Sequence, residues 1–314
     1  MAANEPVGET PDEAAETPAL TPHVALKRVI MLVNPLSGGV GPDAAAQAEA
    51  ILAEYDLDAT VVALEGGQFD AQIEAAIEAC PDVLLVLAGD GTAGTIATRA
   101  GPKGPLVAPL PGGTMNMLPK ALYGTGDWKA ALRSALSEGA ELCVSGGDVN
   151  GHVFYCAAIL GSPALWAPAR EAVREGKLKL AWTYARRALR RAFSARMRYT
   201  LDNSPMRRVE ALAFISPMIS RVMDEPVGLE AAAMATGGAG EAFRLAAHAL
   251  FDDWRHDPAV RTKPTKRSVV RSRSNIPTLV DGESVSVGSE AVVTFRPKAF
   301  RALAPLPPEG EDSV

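Results

Sequence analysis

Apolar residues are spaced in two different ways along the chain. Between residues 24 and 111, short apolar runs alternate with Ala-rich stretches that have a helical period. One of these runs, VLLVLA at residues 83–88, is unbroken, which is typical of a strand buried on both faces of a sheet. After about residue 143 the apolar runs follow a two-residue period and are separated by Gly, Asn, Asp or Pro. The spacing therefore predicts an α/β region followed by a mostly antiparallel region.

The α/β region is predicted to alternate four strands with three helices. Its strands are VALKRVIMLV, ATVVAL, VLLVLA and PLVAPLP, and its helices cover Asp43–Tyr55, Asp70–Ala79 and Thr92–Arg99. This alternation is the pattern of a doubly wound fold, in which helices cover both faces of a parallel sheet.

The second region is predicted from six short segments of strand character. They are HVFYCAAIL, MRYTLD, RVEALAFIS, SVVRSRS, SVSVGSE and AVVTFRP. Two helical stretches, Lys177–Met197 and Ala239–Trp254, lie between them. The basic stretch Arg261–Arg273 has no aromatic residue on which bases could stack, so it is interpreted as an edge strand and a loop.

Composition and charge exclude several classes of protein. Residues 1–24 and 305–314 hold few large apolar side chains and are predicted to be a disordered tail and a flexible terminus. A net charge of -6 disfavours a protein that coats nucleic acid with positive charge. The 3 cysteines have no CxxC spacing, which fits a reducing cytoplasm. Neither a signal-peptide pattern nor a membrane-length apolar run is found, so we expect any membrane contact to be peripheral.

Three glycine-containing loops each follow a predicted strand of the α/β region. They are VNPLSGG (33–39), AGDGT (88–92) and PLPGGTMN (109–116). Strands of a parallel sheet end at one edge, so we expect the loops to meet there. Glycines let backbone N–H groups approach an anion, and the following helix N-terminus adds a favourable dipole. The sequence therefore predicts a phosphate-binding site.

The segment from Gly89 to Gly94 also satisfies the GxGxxG pattern of dinucleotide-binding proteins. Asp90 would place a carboxylate beside the pyrophosphate, and no acidic residue ends the next strand to hold a ribose, so this interpretation is rejected. An Asp between two glycines after a buried strand is better suited to bind Mg²⁺ or a hydroxyl group.

Together these motifs resemble those of the diacylglycerol kinase catalytic-domain family, which includes bacterial lipid kinases, sphingosine kinases and ceramide kinases. NPLSGG is similar to the family's NPxSG motif, AGDGT to GGDGT, and PLPGGTMN to P-x-GTxN. SGGDVNGHVFY resembles its strand with an Asp and an N-x-x-F/Y element, and LVDGESV its late DGE motif. The resemblance runs from about residue 28 to 305.

The resemblance implies a fold and a set of site residues. It implies a nucleotide-binding α/β domain at 25–143, a β-sandwich lipid-binding domain at 144–304 and a cleft between them. Glu283 would be the base that removes the proton of the lipid hydroxyl group, with Asp90 and Asp148 as further catalytic residues. The residues expected to bind the nucleotide are Asn34, Ser37, Gly38, Gly89, Asp90, Gly91, Thr92, Gly113, Thr114 and Asn116.

The chain departs from the family pattern at three places. Ala93-Gly94-Thr95 stands where the family often has Asn-Glu, and Gly39-Val40 where it often has a Lys. DEPVGLE at 224–230 stands where some bacterial members hold a structural Mg²⁺, and no metal ligand is assigned there.

The sequence thus predicts an ATP- and Mg²⁺-dependent kinase that phosphorylates diacylglycerol or a sphingolipid such as ceramide. The alternatives are an NAD kinase-like enzyme and a catalytically silent lipid- or nucleotide-binding regulator. Residues 177–198 have no acidic residue and carry Trp and Phe on a basic amphipathic pattern, which is suited to an anionic membrane surface. We therefore expect a cytoplasmic protein at the inner face of the membrane, with no nucleic-acid partner; a homodimer is left open.

Overall fold

The computed structural model describes residues 24–161, 163–164, 197–220, 227–234 and 260–306. The predicted tail at 1–24, apart from its last residue, lies outside these ranges. So do the helical stretch at 239–254, all but the last two residues of the basic stretch at 177–198, and residues 307–314.

The first part of the chain alternates strands and helices as predicted. Its elements are β1 (Arg28–Val33), α1 (Ala44–Leu52), β2 (Asp58–Ala63), α2 (Phe69–Glu78), β3 (Val83–Ala88), α3 (Asp90–Ala100), β4 (Leu106–Pro111), α4 (Met117–Tyr123) and α5 (Trp128–Glu138).

The four strands form a parallel sheet in the order β2-β1-β3-β4. Alternate residues of the strands face opposite sides, and each side has its own apolar core. One core joins the sheet to α2, α3 and α4, and the other joins it to α1 and α5. Helices therefore cover both faces, which confirms the doubly wound fold.

The second part of the chain is built mostly from antiparallel strands. Its elements are β5 (Gly139–Val149), β6 (His152–Phe154), β7 (Ala157–Gly161), β8 (Met197–Leu201), β9 (Arg207–Val209), β10 (Ala211–Ile215), β11 (Leu229–Met234), β12 (Val260–Thr265), β13 (Arg267–Arg271), β14 (Pro277–Val280), β15 (Glu283–Ser286) and β16 (Glu290–Pro305).

Two sheets contain these strands. One extends the parallel sheet from β4 through β16, β13, β8 and β9, with β5 paired to β16 and β6 paired to β5. The other has the order β12-β11-β10-β7-β14-β15. A single apolar cluster contains residues of both sheets, among them Phe154, Phe214 and Val270. The two sheets therefore pack face to face.

Strand β16 connects the two parts of the fold. Its first half pairs with β13, and after an irregularity between Arg296 and Phe300 its second half lies parallel to β4, with Ala302 opposite Val107. The larger sheet thus runs through both predicted domains, and the proposed division at residue 143 stays a prediction.

The basic stretch 261–273 is an edge strand only in part. Strand β12 is at the edge of the six-stranded sheet, but β13 lies between β16 and β8 inside the larger sheet. In the part of the chain that the structure describes, we find no helix with the length and apolar character needed to cross a membrane.

Candidate functional site

The three glycine loops meet at one edge of the parallel sheet. They follow β1, β3 and β4. The strand order reverses at β1, because β2 and β3 lie on opposite sides of it, while all the strands stay parallel. A crevice at the carboxyl ends of the strands at such a point is where doubly wound proteins bind ligands. This is the edge at which the sequence places the site.

Hydrogen bonds tie the loops to one another. Ser37 Oγ accepts a bond from Gly89 N at 3.1 Å, and Asn34 Nδ2 donates to Thr92 Oγ1 at 3.3 Å. Gly39 N donates to the carbonyl oxygen of Gly112 at 2.9 Å. The three loops, which contain the residues predicted to bind the nucleotide, therefore form one connected unit.

The third loop packs too closely against the second for a side chain between them. A Cβ atom on Gly113 would lie 2.7 Å from Gly89 Cα. Asn116 is buried with φ of 51°, and its side chain accepts from Gly113 N at 2.7 Å and donates to Gly113 O at 2.9 Å. Asn116 thus closes the loop rather than pointing outward to a ligand. Gly38 and Thr114 are exposed beside this unit.

Helix α3 begins inside the second loop, two residues earlier than the sequence predicted. Its N-cap is Gly89, which has no side chain with which to cap the helix. The N–H groups of the first turn have no acceptor within the helix, so they form a place where an anion can bind. One carboxylate oxygen of Asp90, Oδ1, accepts a 3.3 Å hydrogen bond from Leu118 N at the start of α4.

The DGE motif forms a tight hairpin between β14 and β15. Val280 is opposite Glu283, and the two residues between them, Asp281 and Gly282, have φ of 45° and 88°. Positive φ at both central positions is the type I′ turn that Asp-Gly favours. The turn therefore accounts for the Asp-Gly pair and orients Glu283 at the first position of β15.

Glu283 reaches across to the N-terminus of α3. A Cβ atom on Gly91 would lie 2.5 Å from Glu283 Oε1, so the carboxylate occupies the space beside the first helical turn. Glu283 itself is solvent-exposed. The structure thus brings the carboxylate that was predicted as a base next to the Asp90 loop, and both are part of one site.

Asp281 points the other way, into the protein. Its carboxylate accepts hydrogen bonds from the backbone N–H groups of Tyr155, Cys156 and Ala157 at 2.8, 2.9 and 2.8 Å. Burial raises the pKa of the Asp281 carboxyl group and the nearby Asp90 carboxylate adds to the rise, while the three N–H donors act in the opposite direction. In the sequence Asp281 stands out only as part of the DGE motif, and no local pattern pairs it with the amides of residues 155–157.

Tyr155 and Cys156 lie under the same site, and the sequence did not single them out. The Tyr155 hydroxyl group is 3.0 Å from Thr98 Oγ1 on α3, and the Tyr155 ring contacts Phe300 edge to face. Burial raises the pKa of both the Tyr155 hydroxyl and the Cys156 thiol. These residues therefore form an apolar floor between α3 and the DGE hairpin.

Asp148 lies near the end of β5, just before the turn to β6. Its side chain is 12% exposed, accepts a 2.9 Å bond from Gly151 N and forms a 3.0 Å ion pair with Arg296. These contacts explain a structural Asp at this position, and its predicted catalytic role stays a prediction.

One departure from the family pattern, Ala93-Gly94-Thr95, falls on α3. Ala93 is fully buried, and a Cβ atom on Gly94 would be in ordinary contact with the Tyr155 ring at 3.7 Å. Small residues therefore suit the packing of α3 on this floor.

The described residues include no group of three or more His, Cys, Asp or Glu arranged to hold a metal ion. Of the DEPVGLE segment, only 227–230 are described; Glu230 is buried and its Oε2 accepts from Ser220 Oγ at 2.7 Å.

The fold and the site define a class of protein: a doubly wound α/β unit whose switch-point loops face a carboxylate from an antiparallel region. Residues 28–146 match the family model of the diacylglycerol kinase catalytic domain. At the level of the family, the match supports a lipid kinase. Comparison with curated proteins found no match.

Three solved structures from Bacillus anthracis str. Sterne share the fold. A diacylglycerol kinase has a TM-score of 0.64 at 14% identity and covers 90% of this chain and 98% of its own. Two candidate diacylglycerol kinases have TM-scores of 0.66; one is 17% identical and covers 90% and 98% of the two chains. The other is 18% identical and covers 89% and 98%.

Proposed function

We propose that the chain is an ATP-dependent lipid kinase that transfers the γ-phosphoryl group to a lipid hydroxyl group. The observation that carries this proposal is the position of Glu283 beside Gly91, at the N-terminus of α3. A carboxylate from the antiparallel region and an anion-binding helix end from the α/β region thereby face the same space. Phosphoryl transfer needs this combination of a base and a phosphate cradle.

The loops fit a nucleotide that carries a metal ion. ATP would supply the phosphoryl group, and Mg²⁺ would neutralise the charge on its phosphates. Mg²⁺ usually binds through one or two carboxylates together with substrate phosphates, so the lack of a complete cage among the described residues agrees with this role. Asp90, at the first position of α3, is the carboxylate we propose for it.

In the proposed reaction Glu283 accepts the proton of the lipid hydroxyl group. The hydroxyl oxygen forms a bond to the γ-phosphorus atom while the bond from phosphorus to the β–γ bridging oxygen breaks, and ADP leaves. The first-turn N–H groups of α3 hold the phosphate charge, and Ser37 fixes the loops around it.

The membrane is the proposed location of the acceptor. The basic stretch 177–198 supplies positive charge with Trp182 and Phe193, which suits anionic lipid headgroups. We propose a peripheral contact through this segment.

Phosphate transfer to a panel of acceptors tests the proposal. The full chain is incubated with Mg²⁺ and γ-labelled ATP against diacylglycerol, ceramide and sphingosine in mixed micelles, and against NAD in solution. We expect a labelled lipid, and its loss in Glu283→Gln. Glu290→Gln is the matched control, because Glu290 is also exposed but forms an ion pair with Arg271.

Other outcomes would contradict the proposal. Labelling of NAD alone would identify an NAD kinase-like enzyme. No transfer to any acceptor, with nucleotide still bound, would leave a binding regulator.

A further inference from the structure

Asp281 makes contacts that its turn does not require. A type I′ turn needs positive φ at both central residues, and Asn-Gly satisfies it as well as Asp-Gly does. The φ values of Asp281 and Gly282, 45° and 88°, would therefore be compatible with Asn at 281. The turn alone gives no reason for a carboxylate.

The reason lies in the three amides that face it. Asp281 Oδ2 accepts from Tyr155 N, and Oδ1 accepts from both Cys156 N and Ala157 N. We refer to these three hydrogen bonds as the Asp281 clamp. An Asn could accept through one oxygen only, and its NH₂ group would face an N–H donor. The clamp thus requires a carboxylate, whose hydrogen bonds are also stronger because it is charged.

The clamp fixes the hairpin at its tip. Strand β14 already pairs with β7, with Val280 opposite Ala158, and Asp281 N donates to Ala157 O at 2.9 Å. The clamp adds a second attachment from the side chain at the same corner. The backbone of Glu283, two residues further on, cannot move relative to β7 without stretching these bonds.

The same corner also contacts α3. Tyr155 packs against Gly94 and lies within hydrogen-bonding distance of Thr98, so the backbone held by Asp281 rests on the helix whose N-terminus faces Glu283. The distance between Glu283 and α3 is therefore set through Asp281 and residues 155–157.

We infer that Asp281 is the positioning residue for Glu283. Its clamp on three successive amides holds the β14–β15 hairpin in the position that places the Glu283 carboxylate beside Gly91. The inference rests on the proposed function, because that function makes Glu283 the base of the reaction.

The chain contains a matched control for this arrangement. Asp202 also has positive φ, 49°, in a hairpin, and its carboxylate accepts from Lys266 N at 3.0 Å, Arg267 N at 2.9 Å and Thr265 Oγ1 at 3.1 Å. It joins β8 to β13 in the other sheet. Substituting Asp202 therefore removes a comparable set of hydrogen bonds to a carboxylate, at a place that does not contact the hairpin of Glu283.

The experiment compares Asp281→Asn with Asp202→Asn in the full chain, using whichever acceptor the wild type phosphorylates. The kcat is expressed per nucleotide-binding site, so that misfolded protein does not count. We expect Asp281→Asn to lower kcat about 100-fold, as a misplacement of roughly 1 Å does, and to leave the nucleotide Kd within about twofold. Asp202→Asn should leave both constants within about twofold.

A second measurement follows the clamp itself. Hydrogen exchange of the amides of residues 155–157 should be faster in Asp281→Asn and unchanged in Asp202→Asn. Should Asp281→Asn fail to fold, Asp281→Ser, which keeps one acceptor oxygen, takes its place with the same expectations.

The outcomes separate this inference from the proposed function. A wild-type kcat in Asp281→Asn, or a loss of nucleotide affinity as large as the loss of kcat, would overturn the positioning role. Unchanged amide exchange would overturn the clamp. If the wild-type chain transfers no phosphoryl group while amide exchange is faster in Asp281→Asn, the kinase proposal and the role of Glu283 as a base are overturned instead.

Discussion

Glu283 and Gly91 come from opposite parts of the chain and share one space: a Cβ atom on Gly91 would lie 2.5 Å from Glu283 Oε1. Gly91 is in the first turn of α3, and no positive φ requires glycine there. The absence of a side chain at position 91 is thus explained by the carboxylate that stands against it.

The first prediction is that Gly91→Ala separates stability from activity. The new methyl group meets only the end of a flexible side chain, so Glu283 moves aside while the helix gains a residue with higher helix propensity. We expect stability to stay equal or rise by up to about 1 kcal/mol. Activity should fall about 100-fold, because the base is displaced by roughly 1 Å. Thermal unfolding and kcat of lipid phosphorylation measure the two effects.

Gly66→Ala provides the control for that substitution. A Cβ atom on Gly66 meets nothing within 4 Å, and the residue lies between β2 and α2. Full activity in Gly91→Ala would show that the position of the Glu283 carboxylate does not matter for the reaction.

The second prediction concerns Asn116, which closes the third glycine loop. Asn116→Ala removes both hydrogen bonds to Gly113. It also places Ala, which has no side-chain amide, at a position whose backbone has the left-handed conformation. The third glycine loop, which packs against Gly89, is then no longer held in its conformation. We expect the KM for ATP to rise about tenfold with a smaller change in kcat, since binding rather than the base is affected.

Asn150 allows a fair comparison with Asn116. It also has positive φ, 50°, and its side chain bonds Val287 O, Glu290 O and Val292 N. Asn150→Ala should therefore lower stability while the KM for ATP stays unchanged. An equal KM increase in both variants would point to general loosening of the fold.

Local patterns were enough to predict most of the α/β region. The unbroken run at 83–88 and the turn residues after each strand gave both the parallel sheet and the edge at which its loops meet. Glu283 and Asp90 were joined only through the resemblance, because they are 193 positions apart and no local pattern pairs a hairpin with a helix end.

Other features were missed for identifiable reasons. Helix α5 has a clear N-cap in Asp127, whose carboxylate accepts from Lys129 N at 2.9 Å, and this signal was overlooked. Strand β16 was predicted to end at Pro297, but it continues after an irregularity and joins β4, a pairing between distant segments that periodicity cannot show. The Asp281 clamp depends on the same kind of long-range contact.

The third prediction tests whether Asp148 acts in the reaction or only in its turn. Asp148→Ala leaves Gly151 N without its acceptor and Arg296 without its partner, so we expect a loss of about 1–3 kcal/mol in stability. Arg296→Met removes the ion pair alone and should cost less. If Asp148 is structural, kcat per folded molecule is the same in both variants. A loss of kcat confined to Asp148→Ala would make Asp148 part of the catalytic site.

The fourth prediction addresses the basic stretch 177–198. Reversing the charge of Arg187, Arg190 and Arg191 to Glu should weaken binding to vesicles that contain anionic phospholipid by tenfold or more, since each basic residue contributes about 1 kcal/mol at such a surface. Binding is measured by vesicle sedimentation at low and high salt, with neutral phosphatidylcholine vesicles as a comparison.

The control reverses the charge of three exposed lysines in the α/β part of the chain, Lys27, Lys103 and Lys129. It changes the net charge equally and should have little effect. Equal losses in both variants would contradict a docking role for this segment.

The fifth prediction is a pH dependence of stability at the edge of the sheet opposite the site. The Asp82 carboxylate accepts from Lys27 N at 2.7 Å and Arg28 N at 2.8 Å, and these bonds hold the pKa of Asp82 below its usual value. A depressed pKa in the folded state stabilises the fold above the unfolded pKa of about 4, and this stabilisation is lost as the pH falls through the folded value. Asp82→Asn should therefore be less stable than wild type at pH 7, and the difference should shrink below about pH 4.

Urea unfolding at several pH values measures this difference in stability. Asp43→Asn is the control, because Asp43 makes no side-chain capping bond. A difference that persists undiminished at pH 3 would show that the carboxylate charge is not what stabilises this end of β1.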